Sequence, residues 1–203
     1  MRFALFFSIL NASIFNVLGQ GNWELLPESP EIEYFSKRYD DIFFLNDSTG
    51  FAGNTDGQIL LLSHFGDSIK QVYSGDEKIR TIEFLNDSVG FAGTLEGNSF
   101  LRTLDYGETW VNIGDRIESD TIQVCGMSRA SETIYAVGKW AGPAYVFKSA
   151  DFGESWNVFN LSDISNGLTD AHFFDESHGF VVGNSSDDSL GGAIFETNDG
   201  GTT

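Results

Sequence analysis

Thr103-Leu104-Asp105-Tyr106-Gly107-Glu108-Thr109-Trp110 decides the fold, because its pattern occurs twice more in the chain. The second copy is Ser149-Ala150-Asp151-Phe152-Gly153-Glu154-Ser155-Trp156, and the third is Thr197-Asn198-Asp199-Gly200-Gly201-Thr202-Thr203. In each copy the aspartate can accept hydrogen bonds from backbone N–H groups just ahead. The glycine two positions after the aspartate permits the positive φ of a tight hairpin. The tryptophan begins the returning strand with a large apolar face. The motif therefore predicts a reinforced turn between antiparallel strands, which we call a motif turn.

The repeat extends beyond the motif turn. Residues 42–53 (IFFLNDSTGFAG) recur forty positions later as residues 82–93 (IEFLNDSVGFAG), and related versions stand at 171–183 and, more divergently, at 133–138. A worn turn at 63–68 carries His64 in place of the aspartate. A period of about 40–45 residues, with turn signals between β-rich runs, is typical of a four-stranded propeller blade. The sequence predicts an all-β fold, a β-propeller of four-stranded antiparallel blades with about four blades in an incomplete ring, centred on residues 41–73, 81–114, 121–160 and 170–203.

The lengths of the loops predict where a ligand binds. The motif turns keep their length, whereas the loops between strands two and three vary, and they share a face with blade-to-blade connections such as 114–119 and 160–170. Loops on a rigid scaffold usually carry binding. We therefore expect a protein or glycan partner on this loop face, which holds Lys139, Trp140, Asp187 and Asp188 and lies opposite the motif turns.

Composition limits the function further. The net charge of −19 argues against nucleic-acid binding, which needs a lysine and arginine footprint. The acidity indicates a soluble protein in an extracellular setting, with binding of cations as the alternative. Cys125 is the only cysteine, so an intrachain disulfide and a thiolate zinc site are excluded, and we expect it to be buried.

The N-terminus predicts export. Residues 1–19 contain one positive charge, an apolar run, and Val17 and Gly19 before a cleavage point, which is typical of a signal peptide. Residues 20–203 then form the propeller, secreted, at the cell surface or in the periplasm, with no membrane span after the signal is removed. Trp23-Glu24-Leu25-Leu26 resembles the tryptophan-started strand four of a blade. We expect an open, partial propeller from a longer protein; the alternative is a clasp that pairs this segment with the strand ending at Thr203.

These motifs resemble the BNR/Asp-box repeat β-propellers, and the resemblance covers nearly all of the chain after residue 19. The run Phe-Leu-Asn-Asp-Ser-x-Gly-Phe-Ala-Gly is most similar to the photosystem II stability/assembly factor-like group, while sialidase- and sortilin-type propellers share the motif. The resemblance implies a non-enzymatic binding scaffold, or a photosystem II assembly factor-like role if the source is photosynthetic. Its structural residues would be Asp105, Gly107, Trp110, Asp151, Gly153, Trp156, Asp199 and Gly201.

An enzyme is the weaker interpretation. A sialidase-like glycoside hydrolase needs an arginine triad, a tyrosine nucleophile and acid–base carboxylates, and the family's Phe/Tyr-Arg-Ile-Pro segment is absent from this sequence. Arg102 lies on a strand entering a motif turn, where a solvated or stem-packed arginine is expected. The motif aspartates recur once per blade, whereas catalysis needs one constellation. His172 and His178 flank a turn, and Asp187-Asp188 lacks a calcium ladder, so we predict no catalytic residue, cofactor or metal.

Overall fold

The computed structural model describes residues 23, 25, 26, 37–187 and 189–202, which fold into four antiparallel sheets that follow one another along the chain. Each sheet is a meander in which sequence neighbours pair. Blade 1 contains β1 (Tyr39–Asn46), β2 (Thr49–Asn54), β3 (Gln58–Ser63) and β4 (Ser68–Ser74). Blade 2 contains β5 (Ile79–Phe84), β6 (Gly90–Thr94), β7 (Phe100–Thr103) and β8 (Val111–Asn112). Blade 3 contains β9 (Gly126–Ala130), β10 (Thr133–Gly138), β11 (Tyr145–Ser149) and β12 (Asn157–Asn160). Blade 4 contains β13 (Ser165–Phe173), β14 (Gly179–Ser185) and β15 (Gly192–Thr197).

The first strand of each blade packs against the first strand of the next, β1 on β5, β5 on β9 and β9 on β13. The sheets therefore radiate from a shared channel, which is the arrangement of a β-propeller. The predicted all-β propeller with antiparallel blades and an incomplete ring is confirmed: the blades form an open arc, in which blade 4 packs on blade 3. Three blades have four strands, and the fourth has three among the described residues.

The repeated glycine of strand two sets the distance between blades. A Cβ on Gly53 would lie 2.5 Å from Cγ2 of Ile79 in blade 2, and a Cβ on Gly93 would lie 2.6 Å from Val124. Both neighbours are fully buried. Glycine is thus required where the backbone of one blade meets an inner side chain of the next, and this explains the recurrence of Phe-Ala-Gly.

The turn between strands one and two repeats as faithfully as the motif turn. In blade 1, Oδ1 of Asn46 accepts hydrogen bonds from the backbone N–H and hydroxyl of Ser48 and from the N–H of Thr49. Asn86 in blade 2 and Asp175 in blade 4 accept the same three bonds from their own turns. Such a side chain replaces the partners that the reversing backbone lacks.

Two expectations differ from the structure. The predicted connection 160–170 is shorter, because β13 already begins at Ser165 and pairs with β14 across two irregularities in register. The hydroxyl of Ser165 donates to the carbonyl of Asn184, which holds this extension in place despite its turn-like Ser-Asn-Gly sequence.

The alternative clasp is not formed: Trp23 is fully exposed and lies outside any strand. The predicted signal peptide falls outside the described residues. No helix within the described part of the chain has the length and apolar character needed to cross a bilayer.

Candidate binding face

The motif turns are closed networks of hydrogen bonds. Asp105 Oδ1 accepts the backbone N–H of Thr109 at 2.9 Å, and Oδ2 accepts the Thr109 hydroxyl at 2.6 Å. The Thr103 hydroxyl donates to Asp105 and accepts the N–H of Gly107 at 3.0 Å. Burial alone would raise the pKa of Asp105, but the hydrogen bonds from Thr109 and Thr103 outweigh it and lower that pKa. The aspartate is therefore an acceptor held in its charged form.

The other two copies follow the same plan, and they differ in the residue whose N–H the aspartate accepts, which in the third copy is Thr202. Asp151 accepts the hydroxyl of Ser149 and both the N–H and the hydroxyl of Ser155, while the Ser149 hydroxyl accepts the N–H of Gly153. The Ser155 hydroxyl is the main cause of the lowered pKa of Asp151. In the third copy, Oδ1 of Asp199 accepts the N–H of Thr202 at 2.9 Å, and Gly201 donates to the Thr197 hydroxyl. The hydrogen bonds from backbone N–H groups to the motif aspartate, predicted from the sequence, are therefore present in these turns.

The motif turns also fasten each blade to the one before it. Gly107 has a φ of 77°, and a Cβ there would clash with the ring of Phe51 in blade 1. Trp110 meets Phe51 and Phe84 edge-on at 6.2 and 5.8 Å between ring centroids. Gly153 repeats the close approach on Phe91 in blade 2, and Trp156 packs edge-on against the rings of Phe91 and Phe100.

A positively charged side chain bridges blades 2 and 3, and another bridges blades 3 and 4. Arg102 of blade 2 donates to the carbonyl of Phe152 and to Glu154, both at 2.8 Å and both in the motif turn of blade 3. Lys148 of blade 3 lies 3.4 Å from the carbonyl of Gly200 in the motif turn of blade 4. Arg102 is only 4% exposed, and its Cδ would lie 3.3 Å from a Cβ on Gly153. Of the two environments expected for it, the packed stem is therefore the one found, and the solvated side chain is not.

The structure places Lys139 and Trp140 in the loop between β10 and β11, at the end of blade 3 opposite its motif turn. The Trp140 side chain is 61% exposed, while its carbonyl accepts a 2.9 Å bond from Asn184 of blade 4. The Lys139 carbonyl accepts the N–H of Leu168 at 3.1 Å. Gly167 lies so close that a Cβ would clash with the Trp140 carbonyl. The loop backbone is therefore fixed against blade 4 while the indole faces solvent.

Two further connections join this face. Ser186 donates its N–H to the carbonyl of Ile164 and its hydroxyl to that of Asp163, which ties the loop after β14 to the blade 3–4 connection. Ile164 is 51% exposed and Leu190 is 67% exposed, so both add apolar surface to the face. Beneath it, Cys125 is buried as expected, and burial raises the pKa of its thiol.

Asp187 lies in the loop after β14 and organises that loop. Its Oδ1 accepts the N–H and hydroxyl of Ser189, and the hydroxyl is the main cause of its lowered pKa. Asp188 lies outside the described residues. Within the described ranges, no three His, Cys, Asp or Glu side chains converge in a way that would hold a metal ion.

Sequence reasoning missed the central channel. The inner strands surround a cleft of about 520 Å³ whose lining includes Asp40, Asp41, Arg80, Glu83 and Asp170. Asp41 Oδ2 accepts the N–H of Ile82 at 2.6 Å across the first blade junction. Burial raises the pKa of Glu83 to about 7, Arg129 and a backbone hydrogen bond oppose that rise, and Asp41 adds to it. The sequence feature that could have indicated this channel is a polar residue at the same position of strand one in blades 1, 2 and 4, namely Asp41, Thr81 and Asp170.

Comparison with known proteins identifies the fold alone. No protein-family model matches the sequence, and no curated protein matches it. An ancestral GH74 enzyme superposes with a TM-score of 0.63 at 14% identity over 80% of this chain, and the chain spans 23% of that enzyme. The computationally designed Ika4 protein gives 0.57 at 12% identity over 84% of this chain and 96% of its own. YCF48 bound to D1 peptide gives 0.54 at 14% identity over 87% of this chain and 68% of its own. The chain is a β-propeller.

Proposed function

We propose that this protein is an exported, non-enzymatic Asp-box β-propeller that binds a protein partner through the face carrying Trp140. The observation that carries the proposal is the contrast within one loop: the backbone of residues 139–140 is held by blade 4, and the indole is 61% exposed. A tryptophan presented on a fixed backbone loses little conformational entropy on binding, and tryptophan is enriched among residues that dominate protein interfaces.

Two further observations support a protein as the partner. Ile164 and Leu190 lie on loops that are hydrogen-bonded into the same face, and both are more than half exposed. YCF48, a propeller of similar fold, binds the D1 peptide. A role like that of photosystem II assembly factors is the narrower form of the proposal, and it applies if the source is photosynthetic.

Three of the arginines support a role without sialidase-like catalysis. Arg102 and Arg116 both bind Glu154 in a motif turn, and Arg129 lies 3.6 Å from Glu83 and donates to the Leu85 carbonyl. Groups engaged in this way do not form the convergent triad that grips a substrate carboxylate. We propose that the protein turns over neither sialosides nor xyloglucan, and release of reducing sugar from either would contradict the non-enzymatic part of the proposal.

The binding face can be tested with a photo-crosslinking amino acid placed at one position at a time. Trp140 and Tyr106 are matched sites, 61% and 62% exposed, on opposite ends of the blades. With p-benzoylphenylalanine at position 140, we expect a discrete adduct in the native host, identified by mass spectrometry. Position 106 is the control and should give none. The purified partner should bind Tyr106→Ala normally and Trp140→Ala at least tenfold more weakly. Equal adducts at both positions would reject the loop face as the binding site.

Export is tested separately. Signal cleavage after Gly19 should leave a mature N-terminus near residues 20–22 in the secreted fraction, which intact-mass measurement resolves. Recovery of Met1 in the exported protein would indicate an anchor instead, without affecting the assignment of the binding face.

A further inference from the structure

The sequence pattern that accepts an N-linked glycan recurs along this chain. Beyond residue 19, Asn-x-Ser with a residue other than proline in the middle occurs four times, at Asn46, Asn86, Asn160 and Asn184. In an exported protein, an asparagine in this pattern is the attachment point for an oligosaccharide, and the bulk of the sugar requires a surface position. All four residues are exposed, so exposure alone does not distinguish them. The hydrogen bonds of each amide and of its serine do.

The asparagines of the first two blades lie in equivalent hairpin turns between strands one and two. Oδ1 of Asn46 accepts the hydroxyl of Ser48 at 3.1 Å, and Oδ1 of Asn86 accepts the hydroxyl of Ser88 at the same distance. The amide nitrogen Nδ2 of each asparagine makes no hydrogen bond with any residue that the structure describes. Each turn therefore presents an unbonded amide nitrogen together with the serine hydroxyl that the attachment pattern requires.

Asn184 uses its amide nitrogen within the fold. Its Nδ2 donates to the carbonyl of Trp140 at 2.9 Å, and the hydroxyl of Ser186, two positions later, donates to the carbonyl of Asp163 at 3.0 Å. A sugar on this nitrogen would replace one of its two hydrogens and place its bulk against the Trp140 loop. The amide is therefore positioned for the contact between blades 3 and 4 and not for attachment.

Asn160 has a serine that is bonded elsewhere. Its Oδ1 accepts the N–H of Ser162 at 2.9 Å, whereas the hydroxyl of Ser162 accepts the N–H of Ala144 at 3.2 Å. The hydroxyl is thus held at the backbone just before β11 and not at the asparagine amide. Of the four asparagines, only Asn46 and Asn86 combine an unbonded Nδ2 with a serine hydroxyl that is bonded to the same amide.

These two turns lie at the motif-turn end of the blades. The N–H of Tyr106, in the motif turn of blade 2, donates to the Ser88 carbonyl at 3.2 Å. The N–H of Phe65, in the worn turn of blade 1, donates to the Ser48 carbonyl at 3.3 Å. Sugars on these turns would project from the end opposite Trp140, so they would restrict access to the motif-turn end and leave the loop end open to a partner.

We infer that the exported protein carries N-linked glycans on Asn46 and Asn86, and that Asn160 and Asn184 stay unmodified. The inference rests on the export proposed above and is independent of which partner binds. The donor is an oligosaccharide linked to a lipid diphosphate. In the transfer, Nδ2 loses one proton and forms a bond with the anomeric carbon of the sugar, while the bond between that carbon and the diphosphate oxygen breaks. The lipid diphosphate leaves with the electron pair of that bond, so the step needs no oxidant or reductant.

The first test maps the sugars on wild-type protein from the exported fraction of the native host. Peptide mass spectrometry is run before and after an amidase that releases N-linked sugars and converts the attached asparagine to aspartate. It should locate one glycan at Asn46 and one at Asn86, and it should find Asn160 and Asn184 unchanged. Exported protein without sugar at Asn46 and Asn86, or with sugar at all four positions, would overturn the inference. Protein that stays inside the cell with Met1 intact would reject export and this inference together, without bearing on the binding face.

Blade 4 supplies a matched control for the second test. Asp175 occupies the equivalent place in its turn and accepts the same three hydrogen bonds, so an aspartate preserves the turn without offering an amide nitrogen. Asn46→Asp should therefore remove one glycan while the protein still folds and is exported. Asp175→Asn completes the attachment pattern with Glu176 and Ser177 and should add a third glycan at that turn.

The serine is tested in the same way. Ser48→Ala should remove the glycan from Asn46, and Ser48→Thr should retain it because threonine keeps the hydroxyl. A glycan that persists in Ser48→Ala would show that the hydroxyl is not required and would reject the inference. Exported Asp175→Asn protein without a third glycan would reject the turn geometry as the feature that selects the modified asparagines.

Discussion

The two ends of the blades hold their turns in different ways. At one end, the motif turns bind their own backbone through Asp105 or Asp151 and bury Gly107 and Trp110 against the preceding blade. At the other end, the loops bind one another through carbonyls and leave Trp140 exposed. Tryptophan thus stabilises the fold at the motif-turn end, where Trp110 is buried, and is available to a partner at the loop end, where Trp140 is exposed. Three pairs of variants test this difference, and a fourth experiment tests the channel between the two ends; they follow from the largest expected effect to the smallest.

Two tryptophans give the sharpest contrast. Trp110→Ala should lower the free energy of unfolding by about 3–5 kcal/mol, because Trp110 is 7% exposed and packs between Phe51 and Phe84. Trp140→Ala should change it by no more than about 0.5 kcal/mol, as for other exposed side chains. Urea unfolding followed by circular dichroism measures both. A destabilisation shared by the two variants would show that the loop end is as structural as the turn end.

The channel between the two ends has its own pH dependence. The folded-state pKa of Glu83 is about 7, above its ordinary value of 4.5, so this group makes the protein less stable as pH rises from about 4.5 to 7. Glu83→Gln should remove that loss and add at most about 3 kcal/mol at pH 8, with little effect at pH 4. Melting curves at the two pH values test this. Equal effects at both would mean that the carboxylate does not titrate within this window.

Two glycine variants distinguish the stability cost of backbone strain from the cost of side-chain crowding. Gly107 and Gly191 have similar positive φ angles of 77° and 69°, but a Cβ on Gly107 meets Phe51 and a Cβ on Gly191 meets nothing within 4 Å. Gly191→Ala should cost about 1 kcal/mol for the left-handed conformation. Gly107→Ala should cost about 2 kcal/mol more because the fully buried Phe51 ring must move. Similar losses in thermal unfolding would remove the case for a close blade contact at the motif turn.

Two aspartates give the smallest contrast. Asp151→Ala should cost about 1 kcal/mol, because Ser155 is exposed and water replaces part of the lost bonding. Since the pKa of Asp151 is lowered on folding, this contribution is present above the unfolded pKa and fades as pH falls through the folded one. Asp187→Ala at the loop end is the partner variant, and it should leave the melting temperature closer to wild type. An unchanged melting temperature for Asp151→Ala would contradict a stabilising role for the motif turn.

The sequence was sufficient for features that are local. The blade repeat, the strand order and the hydrogen bonds of Asp105 depend on residues a few positions apart, and their spacing is visible in the chain. The partners of Arg102 could not be predicted, because Phe152 and Glu154 are 50 and 52 residues away. The start of β13 and the raised pKa of Glu83 likewise depend on pairing and burial across blades. The backbone anchoring of Trp140 by Asn184 also spans 44 residues, so exposure on that loop could be expected but its rigidity could not.

The cation contact also predicts how soon each motif turn opens to solvent. Leu61 holds in β3 the ladder position that Arg102 holds in β7, since they pair with Phe51 and Phe91 respectively, and Leu61 offers no charge to the turn of blade 2. A repeat array opens at its weakest neighbouring interface. Amide hydrogens in the turn of residues 103–110 should then exchange with solvent sooner than those of residues 149–156. A protease that samples locally opened segments should therefore cut the turn of residues 103–110 before the turn of residues 149–156.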